Sequence, residues 1–416
     1  MKNKHLFTIL LLVICFIFDS KSGILAEEDI EEWPAFRRDI WHSGGAGCGA
    51  TGPVHVRWKF NAGSPVDSSP AVVNDILYVG ADNGYLYAID AIIGKLIWKF
   101  QAGDVILSSP GVTGGVVYFG CLDTYVYAVN ASTGKLLWKF KTDSRIESSP
   151  LINDETVYIG SYDNHLYAID AKKGSLKWRF KAEAGINSSP IIFENVIYVG
   201  TLDGYIYAIY AKDGTLSKKY RLETGDDTSY RDDMADSGDF FIGEGQEKEE
   251  KKKEKELNEK KKFIGTGGSI YSSPIIIDDK LYYGSMDEFV YCFDILSGDL
   301  KWAYKTEGPI VASLSAEYEV IIAASFDNRI YGIDMSTGKK LWDFLTFGDL
   351  YSSPAVVNRY VYIGSWDGWI YCFKVKTGEL AWKYETGKGI RSSPAVMDGI
   401  VYFGSSDGYI YALEEK

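Results

Sequence analysis

Histidine is scarce in this sequence, which removes several kinds of catalytic and metal site. Only four of the 416 residues are histidines, namely His5, His42, His55 and His165. They form neither a metal-ligand spacing nor a catalytic constellation. We therefore expect no catalytic residues and no metal site.

Cysteine is also rare, with five copies, and its distribution does not indicate a disulfide framework. Beyond the N-terminal segment the cysteines are Cys48, Cys121, Cys292 and Cys372. The last three take places that small residues fill in other copies of the repeat described below. Because they lie in separate copies, too far apart to bridge, we interpret them as packing residues.

Positive charge is in the minority. Lysine and arginine number 44 against 57 acidic residues, which gives a net charge of −13. Proteins that hold nucleic acid through general electrostatics are basic. We therefore expect no nucleic-acid partner.

No apolar run is long enough to cross a membrane as a helix. The N-terminal run, Leu6–Phe18, follows Lys2 and Lys4 and ends at Asp19. A spanning helix needs about 20 residues, whereas a basic start and a short apolar run are typical of a secretory signal. We predict that residues 1–26 are a cleaved signal peptide, with an uncleaved anchor as the alternative. The mature chain would then be extracytoplasmic, either periplasmic or secreted, without a transmembrane helix.

What the sequence has in abundance is a repeat of 40 residues. The triplet Ser-Ser-Pro recurs in seven copies, which end at Pro70, Pro110, Pro150, Pro190, Pro274, Pro354 and Pro394. A degenerate eighth copy contains Ser313 and Leu314, and 44 additional residues separate the fourth copy from the fifth. A tryptophan marks the same frame in seven copies, and Lys218 takes its place in the remaining one. Eight copies of one unit indicate a repeat architecture.

Each copy reads as four short strands. In one copy the apolar or alternating runs are Pro110–Thr113, Val116–Gly120, Tyr125–Val129 and Leu136–Phe140. Turns such as Asp203-Gly204 interrupt these runs every six to eight residues, which excludes a helical repeat of similar length. Four strands per unit are typical of a propeller blade. The sequence therefore predicts an all-β fold: a single eight-bladed β-propeller with four-stranded antiparallel blades, as a monomeric ring.

The two ends of the chain are expected to close this ring. The last copy stops after its third strand, Tyr409–Leu413, and Val54–Phe60 carries Trp58 in the repeat frame before the first complete copy. Residues 54–60 would thus supply the missing outer strand of the last blade. This divides the chain into a signal peptide (1–26), an N-terminal segment (27–53) and a propeller (54–416).

The repeat also resembles a known family. The residues Ala128-x-Asn130-x-x-Thr133-Gly134-Lys135-x-x-Trp138 are similar to the tryptophan-docking motif of the quinoprotein-type propellers, often called PQQ-like repeats. Two further copies, from Ala88 to Trp98 and from Ala168 to Trp178, follow the same pattern, and the segment Trp33–Arg37 looks like the one that precedes such rings.

The resemblance implies one of two functions. One branch of the family contains dehydrogenases that use pyrroloquinoline quinone (PQQ) with Ca²⁺. The other contains non-enzymatic scaffolds, such as the propeller component of the outer-membrane barrel-assembly machinery. The length of this chain and its lack of an adjacent Cys-Cys pair favour the scaffold branch. We expect no cofactor; under the dehydrogenase alternative, Glu147 and Asn187 would be the Ca²⁺ ligands.

Residue types that recur in almost every copy are expected to be structural. The docking tryptophans are Trp58, Trp98, Trp138, Trp178, Trp302, Trp342 and Trp382. Each would bury roughly 150–250 Å² between blades. We interpret the serine pairs as inter-blade hydrogen-bonding groups, and the turn aspartates, such as Asp123, as acceptors for nearby backbone N–H groups.

Positions that vary between copies are the candidates for binding. The residues before the serine pairs are Asp67, Leu107, Glu147, Asn187, Tyr271, Val311, Tyr351 and Arg391. They should surround the central funnel, on the face that also carries the second-to-third-strand turns; we call it the funnel face. The unusual apolar or aromatic turn residues there are Leu122, Tyr162, Leu202, Met286, Phe326 and Trp366, with Trp369 beside them. We interpret these as an interaction rim, with packing against neighbouring turns as the alternative.

The extra residues after the fourth copy form a charged insert. Residues 226–262 are first acidic and then alternate Glu and Lys, with almost no apolar side chain. Such a segment cannot bury a face, so we expect disorder or a solvated helix. It leaves the blade whose tryptophan is replaced by Lys218, and we predict that this seam is the weakest of the ring.

The function that the sequence favours is an exported, non-enzymatic scaffold. Its partner, a protein or an envelope polymer, would bind on the funnel face. The first alternative is the PQQ- and Ca²⁺-dependent dehydrogenase. The second is a carbohydrate-binding propeller that uses Trp366 and Trp369.

Overall fold

The structure is a computed structural model that describes Ala35 and residues 49–221 and 267–416. The predicted signal peptide and the charged insert at 226–262 lie outside the described residues. None of the described residues belongs to a helix that could cross a membrane.

Thirty-two strands make up the described chain. In chain order they are β1 (Val54–Asn61), β2 (Ala71–Val73), β3 (Ile76–Gly80), β4 (Tyr85–Asp90), β5 (Leu96–Gln101), β6 (Gly111–Thr113), β7 (Val116–Gly120), β8 (Tyr125–Asn130), β9 (Leu136–Lys141), β10 (Leu151–Asn153), β11 (Thr156–Gly160), β12 (His165–Asp170), β13 (Leu176–Lys181), β14 (Ile191–Phe193), β15 (Val196–Gly200), β16 (Ile206–Tyr210), β17 (Leu216–Tyr220), β18 (Ile275–Ile277), β19 (Lys280–Gly284), β20 (Phe289–Asp294), β21 (Leu300–Lys305), β22 (Ser315–Glu317), β23 (Val320–Ala324), β24 (Arg329–Asp334), β25 (Lys340–Leu345), β26 (Ala355–Val357), β27 (Tyr360–Gly364), β28 (Trp369–Lys374), β29 (Leu380–Glu385), β30 (Ala395–Met397), β31 (Ile400–Gly404) and β32 (Tyr409–Glu415).

These strands form eight four-stranded antiparallel sheets, and the described residues include no helix. Blade one is β2–β5, and each following group of four consecutive strands makes the next blade, up to β26–β29 in blade seven. The predicted all-β, eight-bladed propeller is confirmed. The two middle strands of each blade are buried between neighbouring blades, so they are almost continuously apolar, whereas the outer strands alternate between exposed and half-buried side chains.

The last blade is closed by the N-terminal strand. Its order is β1-β32-β31-β30, with Trp58 opposite Ala412 and Asn61 opposite Tyr409. The predicted closure is therefore confirmed. The N-terminal segment contributes one more element that the sequence did not reveal: the carbonyl of Ala50 accepts the indole N–H of Trp382 at 2.8 Å. Ala50 thus replaces the turn that the incomplete last blade lacks.

At seven of the eight seams a docking tryptophan joins neighbouring blades in the same way. The indole N–H of Trp98 donates to the carbonyl of Ala131 in blade two at 2.8 Å. The Tyr78 hydroxyl donates to the same oxygen at 3.2 Å. A Cβ at Gly134 would lie 2.6 Å from the Trp98 ring, and Gly134 has φ +67°, so only glycine fits under the ring. The predicted structural role of the docking tryptophans agrees with these contacts.

The seam after blade four uses different donors. Lys218 replaces the tryptophan, and its Nζ donates to the carbonyl of Leu296 at 3.0 Å. The buried Tyr220 donates its hydroxyl to the carbonyl of Ile295 at 3.0 Å. The carbonyl that a tryptophan would occupy is therefore satisfied by Tyr220. The relative weakness of this seam stays a prediction.

Candidate functional site

A cavity of about 390 Å³ lies at the centre of the ring, on the funnel face. All eight residues that precede the serine pairs line it: Asp67, Leu107, Glu147, Asn187, Tyr271, Val311, Tyr351 and Arg391. Two turn residues, Met286 and Phe326, also contribute to the lining. The structure thus brings these positions together, while their role in binding stays a prediction.

A closed ring of serines lies beneath these residues. In each blade the backbone N–H of the second serine of the pair donates to the hydroxyl of its counterpart in the next blade, as from Ser109 to Ser149 at 3.0 Å. The bond from Ser393 to Ser69, at 2.9 Å, completes the circle across the chain ends. The serines in this ring are Ser69, Ser109, Ser149, Ser189, Ser273, Ser313, Ser353 and Ser393. The predicted inter-blade hydrogen bonding is confirmed, and it explains why the degenerate copy keeps Ser313.

One side of the cavity holds a cluster around Glu147. Arg145 Nε lies 3.0 Å from Glu147 Oε1, and Asn187 Nδ2 donates to Glu147 Oε2 at 2.8 Å. The Tyr162 hydroxyl reaches the same Oε2 at 3.3 Å and accepts from Asn187 Nδ2 at 2.7 Å. The Arg145 guanidinium stacks on the Tyr162 ring, 4.0 Å from its centroid. Burial raises the pKa of Tyr162, so this hydroxyl is neutral at pH 7.

These residues do not fit a quinone–calcium pair. Both carboxylate oxygens of Glu147 are already engaged, and one of them contacts a guanidinium that opposes a second cation. Within the described ranges, no group of three or more His, Cys, Asp or Glu side chains is placed to hold a metal ion. PQQ is a tricarboxylate, yet the one cationic side chain of the lining, Arg391, is paired with Asp67.

A second cluster surrounds Arg391. Its Nη1 lies 3.1 Å from Asp67 Oδ2, and its guanidinium stacks over the Tyr351 ring at 4.5 Å. Ser406 Oγ donates to the other oxygen of Asp67 at 3.1 Å. Nearby, burial and the charge of Asp67 raise the pKa of Asp82 to about 6, against the lowering effect of Arg391. The Oδ1 atom of Asp82 is buried without a hydrogen-bond partner among the described residues.

Aromatic side chains extend outward from Tyr351. Its ring contacts Phe326 at 4.6 Å and Trp366 at 5.9 Å between centroids. Trp366 nevertheless remains 46% exposed. Packing against neighbouring turns, which was the alternative interpretation of the turn residues, therefore occurs together with exposure.

Phe347 belongs to the same surface, although it is not among the residues predicted from the sequence. It is 83% exposed, and its backbone N–H donates to Asp367 Oδ2 at 3.0 Å, which fixes it beside the Trp366 turn. The corresponding residues in the other blades are Gly63, Gly103, Asp143, Glu183, Gly267, Glu307 and Gly387. A comparison of this slot across the copies would have revealed it, because the fold does not require an aromatic ring there.

Trp369 has a different role from Trp366. Lys383 Nζ lies 3.9 Å above its ring, and the equivalent pair in blade one is Tyr85 with Lys99 at 4.1 Å. Trp369 therefore occupies a repeated framework position. No ring contact joins Trp366 and Trp369 in the part of the chain that the structure describes, and carbohydrate binding by these two residues stays an alternative prediction.

The carboxylates of the turn aspartates accept local hydrogen bonds. Asp123 Oδ2 accepts the Tyr127 hydroxyl at 2.6 Å and the backbone N–H of Gly103 at 2.8 Å. Blade seven repeats the arrangement with Asp367 and Tyr371. The hairpin role predicted for these carboxylates is confirmed.

The described cysteines are free and buried. Burial raises the pKa of Cys292 to about 11 and that of Cys121 to about 12. Burial also raises the pKa of Cys372. Thiols of this kind are poor nucleophiles at neutral pH, which agrees with the packing role predicted for them; Cys48 lies outside the described residues.

Comparisons with known proteins agree with this architecture. BamB from Moraxella catarrhalis has a TM-score of 0.68 at 19% identity, over 88% of this chain and 98% of that one. A europium-containing methanol dehydrogenase has a TM-score of 0.73 at 13% identity, over 92% and 98% of the two chains. The quinohemoprotein alcohol dehydrogenase from Comamonas testosteroni has a TM-score of 0.72 at 16% identity, over 92% and 80%. At these identities the solved structures show the fold alone.

No curated protein sequence matches the chain. A family model, however, covers nearly all of the ring. The model described as outer membrane protein assembly factor BamB matches residues 50–124, 110–239 and 246–416. The chain therefore belongs to this BamB family of PQQ-like-repeat propellers.

Proposed function

We propose that this protein is a non-enzymatic scaffold that binds a protein partner on its funnel face. The observation that carries the proposal is an aromatic patch, in which the exposed Phe347 and Trp366 lie beside the half-buried Phe326 and Tyr351. An exposed phenylalanine at a position where other blades have glycine or an acidic residue has no structural role in the ring. Exposed aromatic surface beside polar residues is typical of protein interfaces.

The geometry of the patch suits a binding hot spot. The backbone of Phe347 is held by its bond to Asp367, so little backbone freedom is lost on binding. Burying such a side chain contributes roughly 1.5–3 kcal/mol. Arg391 and Asp67 lie behind Tyr351 and provide a polar, paired boundary. Aromatic and arginine side chains in this arrangement dominate many interfaces.

The family description supports a protein as the partner. The matched family model is described as an outer membrane protein assembly factor. We propose a protein partner for this chain, and an extracytoplasmic location in line with the predicted signal peptide. An envelope polymer is the alternative partner, which the experiment below distinguishes.

Two substitutions would test the proposal. Each introduces a residue that occurs at the equivalent position of another blade, so it should disturb the fold little. Phe347→Glu introduces the residue found at Glu183 and Glu307, and Trp366→Leu introduces the one found at Leu122 and Leu202. We expect each to weaken binding to purified outer-membrane assembly proteins of the same organism by at least about tenfold, as for a hot-spot residue. Surface-immobilised binding assays would measure this.

The control is thermal unfolding, which should be unchanged for Phe347→Glu because Phe347 is exposed, and little changed for Trp366→Leu because other blades have leucine at that position. Unaltered affinity in both variants would contradict the proposal. Co-sedimentation with peptidoglycan that is lost in both variants would instead identify a polymer as the partner.

A quinoprotein dehydrogenase is the second candidate: Glu147 and Asn187 meet in the cavity, although in their present arrangement they do not fit a quinone–calcium pair. Calcium binding there would require Glu147 to release Arg145 and the Tyr162 hydroxyl. We expect no dye-linked oxidation of alcohols or sugars after addition of PQQ and Ca²⁺. Activity that disappears in Glu147→Ala would establish this candidate and exclude a purely structural role for the cavity.

A further inference from the structure

The outer rim of blade one carries an exposed aliphatic tip. Ile92 and Ile93 form the turn between β4 and β5 and are 40% and 64% exposed. Asp90 Oδ1 accepts the backbone N–H groups of Ile92 at 2.9 Å and of Ile93 at 3.0 Å. Arg57 Nε donates to the carbonyl of Ile92 at 2.8 Å. The backbone of the tip is therefore held in place while its two side chains face solvent.

The apolar surface continues along the outer strands. Leu96 and Ile97, at the start of β5, are both exposed, because the strand register shifts between Ala88 and Ile89. In the next blade, the outer strand β9 has exposed side chains at the two equivalent positions, Leu136 and Leu137. We define the rim patch as Ile92, Ile93, Leu96, Ile97, Leu136 and Leu137.

The fold does not require the isoleucines. The equivalent tip pairs in the other complete blades are Ser132-Thr133, Lys172-Lys173, Lys212-Asp213, Leu296-Ser297, Ser336-Thr337 and Lys376-Thr377. The position of Ile97 is occupied by lysine at Lys177 and Lys301. Polar and charged residues therefore serve in the framework, and among the complete blades a pair of aliphatic residues at the tip occurs in blade one, whereas blade five has the single exposed Leu296.

The two segments that carry the rim patch are basic, while Asp90 beside the tip is acidic and accepts the backbone N–H groups of Ile92 and Ile93. Residues 91–101 and 131–141 contain no Asp or Glu, in a chain of net charge −13. Their cationic residues are Lys95, Lys99, Lys135, Lys139 and Lys141. Lys99 and Lys139 lie over tyrosine rings, at 4.1 and 4.2 Å from the centroids. Lys95 and Lys135 have no carboxylate partner among the described residues.

We infer that the rim patch binds an anionic lipid surface. Aliphatic side chains flanked by lysine are typical of segments that lie in the membrane interface. Each lysine near an anionic leaflet contributes about 1 kcal/mol. A turn tip projects outward and offers no groove to a protein segment, in contrast to the aromatic patch of the funnel face. The charge of the remaining chain would repel an anionic membrane, so binding would orient the ring with this rim toward the lipid.

The inference is independent of the proposed function. In an antiparallel blade the turn between the third and fourth strands lies at the opposite end from the turn between the second and third, which carries Trp366. The rim patch and the aromatic patch could thus be occupied at the same time.

The experiment measures co-sedimentation of the exported protein with vesicles of phosphatidylcholine alone or with 30% phosphatidylglycerol, the mixture being about one-third anionic. The test variant, Ile92→Ser with Ile93→Thr, carries the tip of blade two. We expect the parent to bind the anionic vesicles, and the variant to bind them at least about tenfold more weakly, because two apolar side chains no longer insert. Lys95→Glu with Lys135→Glu should reduce binding further and remove its salt dependence.

Two controls make the outcome specific. Leu341→Ser removes a single exposed aliphatic residue on blade six and should leave vesicle binding unchanged. Phe347→Glu, which tests the funnel face, should also leave it unchanged. Absence of binding to anionic vesicles, or equal binding by the parent and the Ile92→Ser, Ile93→Thr variant, would overturn the inference. A variant that binds vesicles normally but loses a protein partner would show that the rim patch is a protein interface.

Discussion

Replacing Tyr220 with phenylalanine should destabilise the ring more than the same replacement at Tyr158. Both tyrosines are buried, and each donates its hydroxyl to a carbonyl of the next blade. At Tyr158 the acceptor, Ala211, also receives the indole N–H of Trp178 at 3.0 Å. At Tyr220 the acceptor, Ile295, has no tryptophan donor, because Lys218 donates to the adjacent carbonyl instead.

The expected magnitudes follow from this difference. Tyr220→Phe leaves a buried carbonyl without a donor, which costs about 1–3 kcal/mol. It also removes a hydroxyl partner from Tyr198. Tyr158→Phe removes one of two donors to a carbonyl that stays paired, so we expect the lower end of a typical net hydrogen bond, about 0.5 kcal/mol. The difference between the two variants should therefore be about 1–2 kcal/mol.

Equilibrium unfolding in urea would measure the two free energies of unfolding. Hydrogen exchange followed by mass spectrometry would locate the change, which we expect in β17 for Tyr220→Phe. Equal losses of stability in both variants would refute the reasoning that redundancy of donors secures the other seams. Faster exchange throughout the ring, rather than in β17, would refute the assignment of Tyr220 to this seam.

Three further changes test other parts of the structure. Deletion of residues 27–60 removes β1 and the Ala50 carbonyl, so calorimetry should show no cooperative unfolding transition; a truncated protein with the parental melting temperature would disprove closure by this segment. Lys218→Trp should slow amide exchange in β17, because Gly298 still leaves room for a ring, and unchanged exchange would show that the tryptophan is not what secures a blade. The pKa of Asp82 is raised to about 6 in the fold, so its protonated form stabilises the protein at low pH and this stability is lost as the pH rises through 6. Asp82→Asn should therefore stabilise the protein by about 1 kcal/mol above pH 7, after allowance for its half-exposed position, and should show little benefit at pH 4. Urea unfolding at the two pH values would measure the difference.

The framework of the ring could be predicted because its signals are local or strictly periodic. Strand alternation and turn residues depend on near neighbours in the chain, and the number of copies of the 40-residue repeat gives the number of blades. The closure by Val54–Phe60 followed from counting strands. The contribution of Ala50 could not be predicted, because every residue type has a backbone carbonyl and the identity of residue 50 therefore gives no signal.

The candidate site was predicted only in part. The eight cavity-lining positions were found from their variability within a fixed frame, and the structure places all of them around one cavity. Trp369 was grouped with Trp366, but it belongs to a repeated pair with lysine. Phe347 was overlooked, since its exposure depends on how the loop after β25 packs against the Trp366 turn.

The sequence by itself determined the all-β class, the number of blades, the order of the strands and the positions that face the funnel. These properties follow from the sequence because each 40-residue copy forms the same four strands by pairing with its own neighbours in the chain. Only the tertiary structure decided which variable side chains meet. Asp67 pairs with Arg391, 324 residues away, and Asn187 with Glu147, 40 residues away. The first pair forms because closure of the ring brings the last blade beside the first, and the second because neighbouring blades converge at the central cavity. Burial and neighbouring charge then set which groups are paired and which remain exposed.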